Sequence, residues 1–246
     1  MNKKRLLELC EELKYHAFSQ ELERQFQLTT YDDMPFIERL EALLLSQLDD
    51  NKTRARMRMK KQAQLRWPDA CLADSLKMHQ EVRPLLAEVL MEFDWVNGKE
   101  NVIITGKTGT GKTHLACAIS NGAIESGITV KFKRFYDLLL ELVAAENEQT
   151  LNRFRAKLNR VKILVLDDWG LAPLSERERH LLFEFIESRE CQASLIITSQ
   201  YDVSDWHSAF QDQTLADSVL DRIVSYAHVI RLEGDSARQR KGGRHE

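Results

Sequence analysis

Two periodicities divide the chain. Near the start, Leu6, Leu9, Cys10, Leu13 and Ala17 recur at three- and four-residue spacing, which predicts one helix with an apolar face. A second helix is predicted after Asp33, with Pro35 in its first turn and Phe36, Leu40, Leu43, Leu44 and Leu48 along its face. Asp49, Asp50 and Asn51 are expected to interrupt it. The stretch 52–66 then carries Lys52, Arg54, Arg56, Arg58, Lys60, Lys61 and Arg66 with no acid among them. At about 100° per residue these cations spread around most of a helix, leaving no broad apolar face to rest on a core. Such a segment is either highly solvated or lies against something anionic, and Trp67-Pro68 is expected to stop it.

From Val102 the pattern changes to short apolar runs alternating with helices. Strands are predicted at 102–105, 129–132, 163–166, 195–198 and 228–232. Helices are predicted at 114–125, 136–146, near 151–158, at 177–189 and at 216–227. Ser175 and Glu178 form a capping box for the 177–189 helix. Strict β-α alternation implies a five-stranded parallel sheet covered on both faces, an α/β fold of three layers. The expected organisation is a small all-helical N-terminal domain (1–66), a linker with an approach helix (67–100), a core (101–233) and a flexible basic tail (234–246).

Composition adds bounds. With 246 residues there is room for one α/β domain with an appendage, or for two small domains. The formal net charge of -3 gives no hint of a nucleic-acid partner, so any basic surface must be local. Cys10, Cys71, Cys117 and Cys191 form no CxxC pair and are expected to be reduced and packed. His180, His207 and His228 show no metal-ligand spacing. The first residues place basic groups before leucines, but Glu8, Glu11 and Glu12 break the apolar run at once, against a signal peptide. No stretch approaches the ~18 apolar residues needed to span a bilayer, and a cytoplasmic protein without a membrane partner is expected.

The candidate chemistry lies at the first strand's end. Gly106, Lys107, Thr108, Gly109, Thr110, Gly111, Lys112 and Thr113 match G-x-x-x-x-G-K-[ST], between an apolar strand and a helix. Glycines let the backbone curl so that successive N–H groups face a phosphate, and the helix N-terminus adds its dipole. Lys112 is the point charge for the β- and γ-phosphates, and Thr113 offers a hydroxyl to Mg2+. Some 50–60 residues on, the apolar run 163–166 ends in Asp167 and Asp168. Two adjacent acids there call for a cation. Asp167 is the expected metal holder through water, and Asp168 the group that orients the attacking water. ATP and Mg2+ are the implied ligands. His114 is expected to pack, as are Trp169 and Trp206.

These elements resemble the AAA+ class of P-loop ATPases. The run Leu166-Asp167-Asp168-Trp169-Gly170-Leu171-Ala172-Pro173-Leu174 looks like the IstB-like and DnaC-like branch, as do Ile196-Ile197-Thr198-Ser199-Gln200 and Asp205-Trp206-His207. The stretch from Thr214 to Ile223 and the ending from Leu232 to Arg238 are more similar to the IstB proteins, helper ATPases of insertion-sequence transposition, than to helicase loaders. The resemblance covers nearly the whole chain and is sharpest from Asn101 to Arg238. It implies an AAA+ core behind a helical N-terminal domain, ATP-dependent homo-oligomers on double-stranded DNA, and delivery of that DNA to a transposase. By position, Gln200 matches the polar sensor of the γ-phosphate, with Ser199 as fallback. Arg222 matches the arginine that reaches a neighbouring subunit's nucleotide, and Arg238 a second sensor.

Three departures from general AAA+ patterns stand out: Asp168 where Glu is commoner, Gln200 where Asn is usual, and a tail too short for a lid domain. A carboxylate set back by one C–C length, ~1.5 Å, misplaces the water, which implies a slow ATPase acting as an assembly switch. The cations Arg54, Arg56, Arg58, Lys60 and Lys61 are assigned to sequence-tolerant DNA contact, the bland alternative being a solvated face. A DnaC-like helicase loader is the nearest alternative. A small-molecule kinase lacks an insertion for an arginine-rich lid, and a non-hydrolysing ATP-binding adaptor is the third class.

Overall fold

All five apolar runs become parallel strands: β1 (Asn101–Gly106), β2 (Val130–Arg134), β3 (Ile163–Trp169), β4 (Ser194–Ser199) and β5 (Ala227–Leu232). The computed structural model describes residues 3–80, 92–210 and 212–233. The sheet order is β2-β3-β4-β1-β5. Successive β1 side chains point to opposite faces, and both faces are covered. Val102 and Ile104 join one apolar core, with α6 (Lys112–Glu125) against it. Ile103 joins the other, beneath α7 (Phe135–Asn147), α8 (Leu151–Asn159), α9 (Glu176–Arg189) and α11 (Gln213–Val224). That double burial is why these strands read as continuous apolar runs rather than alternating ones. Asn101, buried at the sheet's lower edge, donates through Nδ2 to Ile223 O at 2.9 Å and accepts from Leu195 N at 2.9 Å, tying β1 to β4 and α11.

Several boundaries differ from expectation, each for a local reason. The 216–227 helix starts and stops earlier, because the Asp212 carboxylate accepts from Leu215 N and Ala227 opens β5. The expected capping box is present at α9, where Ser175 and Glu178 each serve the other's backbone N–H. Trp169 and Trp206 are fully buried and lie 5.4 Å apart between ring centroids, with Phe135 4.2 Å from Trp169. They pack. Among the described residues no lid follows β5; the expected tail from Gly234 and the candidate Arg238 lie outside them.

The chain divides into two compact units between Arg58 and Met59, within α3 (Phe36–Ala63). In the first, the single early helix that the periodicity predicts is two: α1 (Lys3–Glu12) and α2 (His16–Gln27). Lys14 turns to φ +58°, and Tyr15 N bonds back to Cys10 O at 2.8 Å, closing α1 in a left-handed turn. α2 is held to α3 by polar bridges: Gln25 Nε2 donates to Arg39 O, Phe18 N to Gln47 Oε1, and Ser46 Oγ to Ala17 O.

The interruption expected at residues 49–51 does not occur. Gln47 Nε2 donates to Asn51 Oδ1 at 3.0 Å, and Arg54 pairs with Asp50 at 2.9 Å. Both are i,i+4 pairs that carry the helix across its polar stretch. The basic segment also departs from expectation at its end. The helix stops at Ala63, where Gln64 turns to φ +52°, well before Trp67. Ala63 and Leu65 are buried in the core, and Met59 packs beside them. A charge census missed this because two or three apolar side chains suffice to dock a helix end. Two further elements follow, α4 (Leu72–Met78) and α5 (Asp94–Gly98), and a short helix α10 (His207–Phe210) precedes α11. Of the cysteines, all free, Cys10 and Cys117 are buried as expected, whereas Cys71 and Cys191 are exposed.

Candidate nucleotide site

Gly106 ends β1 at φ +146°, and a β-carbon there would lie 2.4 Å from Leu232 O of the neighbouring strand. Only glycine lets the chain leave the sheet at this point. Gly111 takes φ +93° as the residue before α6, turning the loop onto the helix N-terminus. Gly106→Ala should therefore cost about 1–3 kcal/mol of backbone strain, lowering Tm by roughly 2–12 °C for a chain of this size. A thermal melt within 1 °C or so of the parent's would show that the approach to β5 is looser than its geometry.

The Lys112 side chain is nearly buried and curls back over the loop, its ammonium donating to Gly106 O at 2.7 Å and Lys107 O at 2.9 Å. Thr113, one residue on, donates from Oγ1 to Asp167 Oδ1 at 2.8 Å. Two strand ends thus meet. Because β4 lies between β1 and β3 in the sheet, its last residues fall between the loop and Asp167. Thr198 Oγ1 donates to Asp167 Oδ1 at 2.6 Å and accepts from Asp168 N at 3.1 Å. Asp167 is fully buried, and its second oxygen faces Arg66 Nη1 at 3.4 Å.

Asp168 is half-buried and held at φ +63°, an unusual backbone for a residue with a β-carbon. Burial, and then the Asp167 charge, push its carboxyl above the ordinary range; Arg66, Arg134 and Lys112 pull the other way. Gln200 Oε1 accepts from Thr108 Oγ1 at 2.6 Å. A cavity of about 700 Å³ opens over these groups, lined by Thr108, Gly109, Gly111, Lys112 and Thr113 of the loop with Asp168, Gln200, Arg66 and Arg134. Trp67, Met78 and His114 complete the wall. The volume lies in the range of small-molecule and cofactor sites.

The structure thus brings Lys112, Thr113, Asp167, Asp168 and Gln200 together. Ser199 is turned away: fully buried, it donates to Trp169 O and accepts from Trp206 Nε1, so the fallback sensor cannot face the cavity. Arg222 lies outside the cavity. Its guanidinium pairs with Glu187 on α9 at 3.2 Å and with Glu190, the residue just after that helix, at 2.9 Å, donates to Ser218 O, and sits 5.2 Å from the Phe183 ring centre. His114 lines the cavity rather than only packing. Its Nδ1 is 3.1 Å from Ser75 Oγ, and burial holds its pKa below the usual value. His207 pairs with Asp217 and His228 with Glu100, and the described residues hold no cluster of metal-ligating side chains. Arg54 pairs with Asp50 and Lys60 with Glu125, while Arg58 and Lys61 are exposed.

Thr198, Arg66 and Arg134 escaped the sequence reading. Thr198 was legible in principle, as the hydroxyl at the end of an apolar strand. Arg134 becomes so once β2 extends past residue 132, where it pairs in register with Asp167.

A curled loop with glycines at positive φ, an ammonium within it and a threonine–carboxylate pair beside it make a donor set that fits a magnesium-bound triphosphate. The sequence model of the IstB-like ATP binding proteins matches residues 8–244. The chain belongs to that family. A relative from Sinorhizobium fredii, named an insertion sequence ATP-binding protein, is 41% identical over 150 residues, 61% of this chain and 61% of the relative. The matched stretch thus spans about three fifths of that relative's length. A Pseudomonas fluorescens protein named for insertion sequence IS1162 and ATP binding is 35% identical over 190 residues, covering 77% of this chain and 82% of its own. Among solved structures, the DnaC helicase loader superposes with a TM-score of 0.54 at 26% identity, over 61% of this chain and 89% of that one. This IstB-like chain therefore has the AAA+ fold of the DnaC-related branch.

Proposed function

We propose that this IstB-like chain binds and hydrolyses ATP with Mg2+, assembles as a homo-oligomer on double-stranded DNA, and hands that DNA to a transposase. The observation that carries the reading is the 2.8 Å contact joining Thr113 of the loop to buried Asp167. It places a hydroxyl and a carboxylate together beside a phosphate cradle, where a divalent ion would neutralise phosphate charge. The family match and the relatives named for insertion sequences supply the biological setting.

Within that reading, Lys112 binds the β- and γ-phosphates and Asp168 orients water. Gln200 reports the γ-phosphate, and Arg222 serves a neighbouring subunit. Thr198 is the addition: by holding both Asp167 Oδ1 and Asp168 N it fixes the two carboxylates relative to each other. The short Asp168 side chain keeps turnover slow. The assignment of residues 1–66 to DNA contact and assembly, 67–100 to linkage, 101–233 to the ATPase and 234–246 to a loose tail belongs to the same proposal. So does a cytoplasmic location; no described helix is long and apolar enough to cross a membrane.

DNA contact is assigned to Arg54, Arg56, Arg58, Lys60 and Lys61. Binding through several phosphates falls steeply with salt, by decades when six or more are neutralised. Reversing Arg54, Arg56 and Arg58 to glutamate should flatten the slope of log affinity against log salt by about 3, measured on duplexes of unrelated sequence. The same slope in the variant would move the DNA elsewhere. A helicase loader is the second reading, favoured by the likeness to DnaC. Sizing the protein with ATP, ADP and duplex DNA while recording phosphate release tests the first. Duplex-dependent assembly supports it. Assembly only on a replicative helicase, with duplex DNA inert, supports the second.

A further inference from the structure

The buried carboxylate at the centre of the site has one oxygen fully employed and one only loosely held. Asp167 Oδ1 accepts from both Thr113 and Thr198, while Oδ2 meets, among the described residues, the Arg66 guanidinium alone. At 3.4 Å that contact is longer than the 2.7–2.9 Å typical of a strong charge-assisted bond. A buried carboxylate needs a countercharge, and Arg66 supplies it from a side chain that is one-third exposed and open to the cavity.

The Arg66 backbone, by contrast, is pinned on both sides. Before it, Lys131 Nζ donates to Gln62 O at 3.1 Å and to Gln64 Oε1, and Leu65 is buried in the core. After it, Asn121 Nδ2 donates to Pro68 O at 2.9 Å and Ala70 O at 2.8 Å. The side chain can swing while its root stays fixed.

We propose that Arg66, beside Gln200, helps this chain distinguish ATP from ADP, pairing with Asp167 when the metal position is empty and with the terminal phosphate when it is filled. The proposal rests on the ATP-binding reading and deepens it. A divalent ion held by Thr113 and Asp167 would compete with the guanidinium for that carboxylate, and its like charge would weaken the Arg66 pairing. The anions then open to Arg66 in the same cavity are the Asp168 carboxylate and the γ-phosphate, and the γ-phosphate carries the larger charge. ADP offers nothing at that place. Arg66 thus supplies from within the chain a cation that reads nucleotide state.

The test is equilibrium binding of the full chain to a fluorescent non-hydrolysable ATP analogue and to ADP carrying the same label, both with Mg2+. Arg66→Ala should weaken the ATP analogue about tenfold or more, the effect of one charge-assisted hydrogen bond, while ADP affinity stays within about twofold. Arg66→Lys should recover part of the difference. Equal weakening of both nucleotides, or no change in either, overturns the role. Where thermal melting shows Arg66→Ala to be unfolded, the ATP/ADP ratio of Arg66→Lys decides, and a ratio equal to the parent's overturns it. Lys112→Ala separates the two levels of inference, since it should lose both nucleotides. A parent chain that binds neither would overturn the ATP reading, and this one with it.

Discussion

Lys112→Ala should weaken adenine-nucleotide binding about 100-fold and take hydrolysis down by a further ~10²–10³, because it removes the one ammonium enclosed by the loop. The geometry makes the loss specific. Lys112 is only 6% exposed and is already bent over the loop, 2.7 Å from Gly106 O and 2.9 Å from Lys107 O. Little side-chain entropy remains to be lost when a phosphate takes the place of those carbonyls. Alanine removes the charge and leaves a space that water fills less well than an ammonium. The fold should survive, since the Gly106 turn is set by its glycine backbone and water can bond the two carbonyls that the ammonium leaves. Isothermal titration with ATP and ADP in Mg2+, beside a thermal melt, checks both halves. Affinity within threefold of the parent, at unchanged Tm, would remove the phosphate site from this loop.

The sequence made the core legible because its signals are local. Each strand is a run of apolar residues buried on both faces, and the octapeptide carries its own strand-to-helix context. Thr113 and Asp167 could be paired in advance because the spacing of loop and acids follows from one β-α unit after another. Arg66 could not. Its partner Asp167 is 101 residues away, and in sequence it is simply the last cation of a basic run. The same blindness affects the helix boundaries of the first unit. The polar stretch at 49–51 reads as a break until Gln47, Asn51, Asp50 and Arg54 are seen to pair along the helix. By resemblance Gln200 was the sensor and Ser199 its fallback. The end of β4 separates them, with Ser199 as its last residue turned into the Trp169–Trp206 cluster and Gln200 beyond it at the loop.

Arg222→Ala is expected to have the largest effect on turnover with the smallest effect on the monomer. An arginine supplied to a neighbour's phosphates is worth ~10³–10⁵ in rate. Its present ion pairs with Glu187 and Glu190 involve carboxylates 52% and 42% exposed, and such pairs contribute about 0–1 kcal/mol. The substitution should therefore barely move Tm or nucleotide affinity. It should abolish the steep rise of specific activity with protein concentration that a shared site produces. A mixing experiment sharpens the point. Arg222→Ala retains a whole phosphate site and lacks the arginine; Lys112→Ala retains the arginine and lacks the site. If each active centre is built from two subunits, equal mixtures of these two inactive proteins should recover a sizeable fraction of parental turnover. Mixtures as inactive as their components, or an Arg222→Ala protein as active as the parent at high concentration, would confine Arg222 to its pairs with Glu187 and Glu190. If Arg222 does serve a neighbour, the carboxylates matter in their own right: to reach another subunit the guanidinium must leave Glu187, Glu190 and the Phe183 ring. The energy of that release would be set against assembly, a physical route by which hydrolysis in an isolated subunit would be held low.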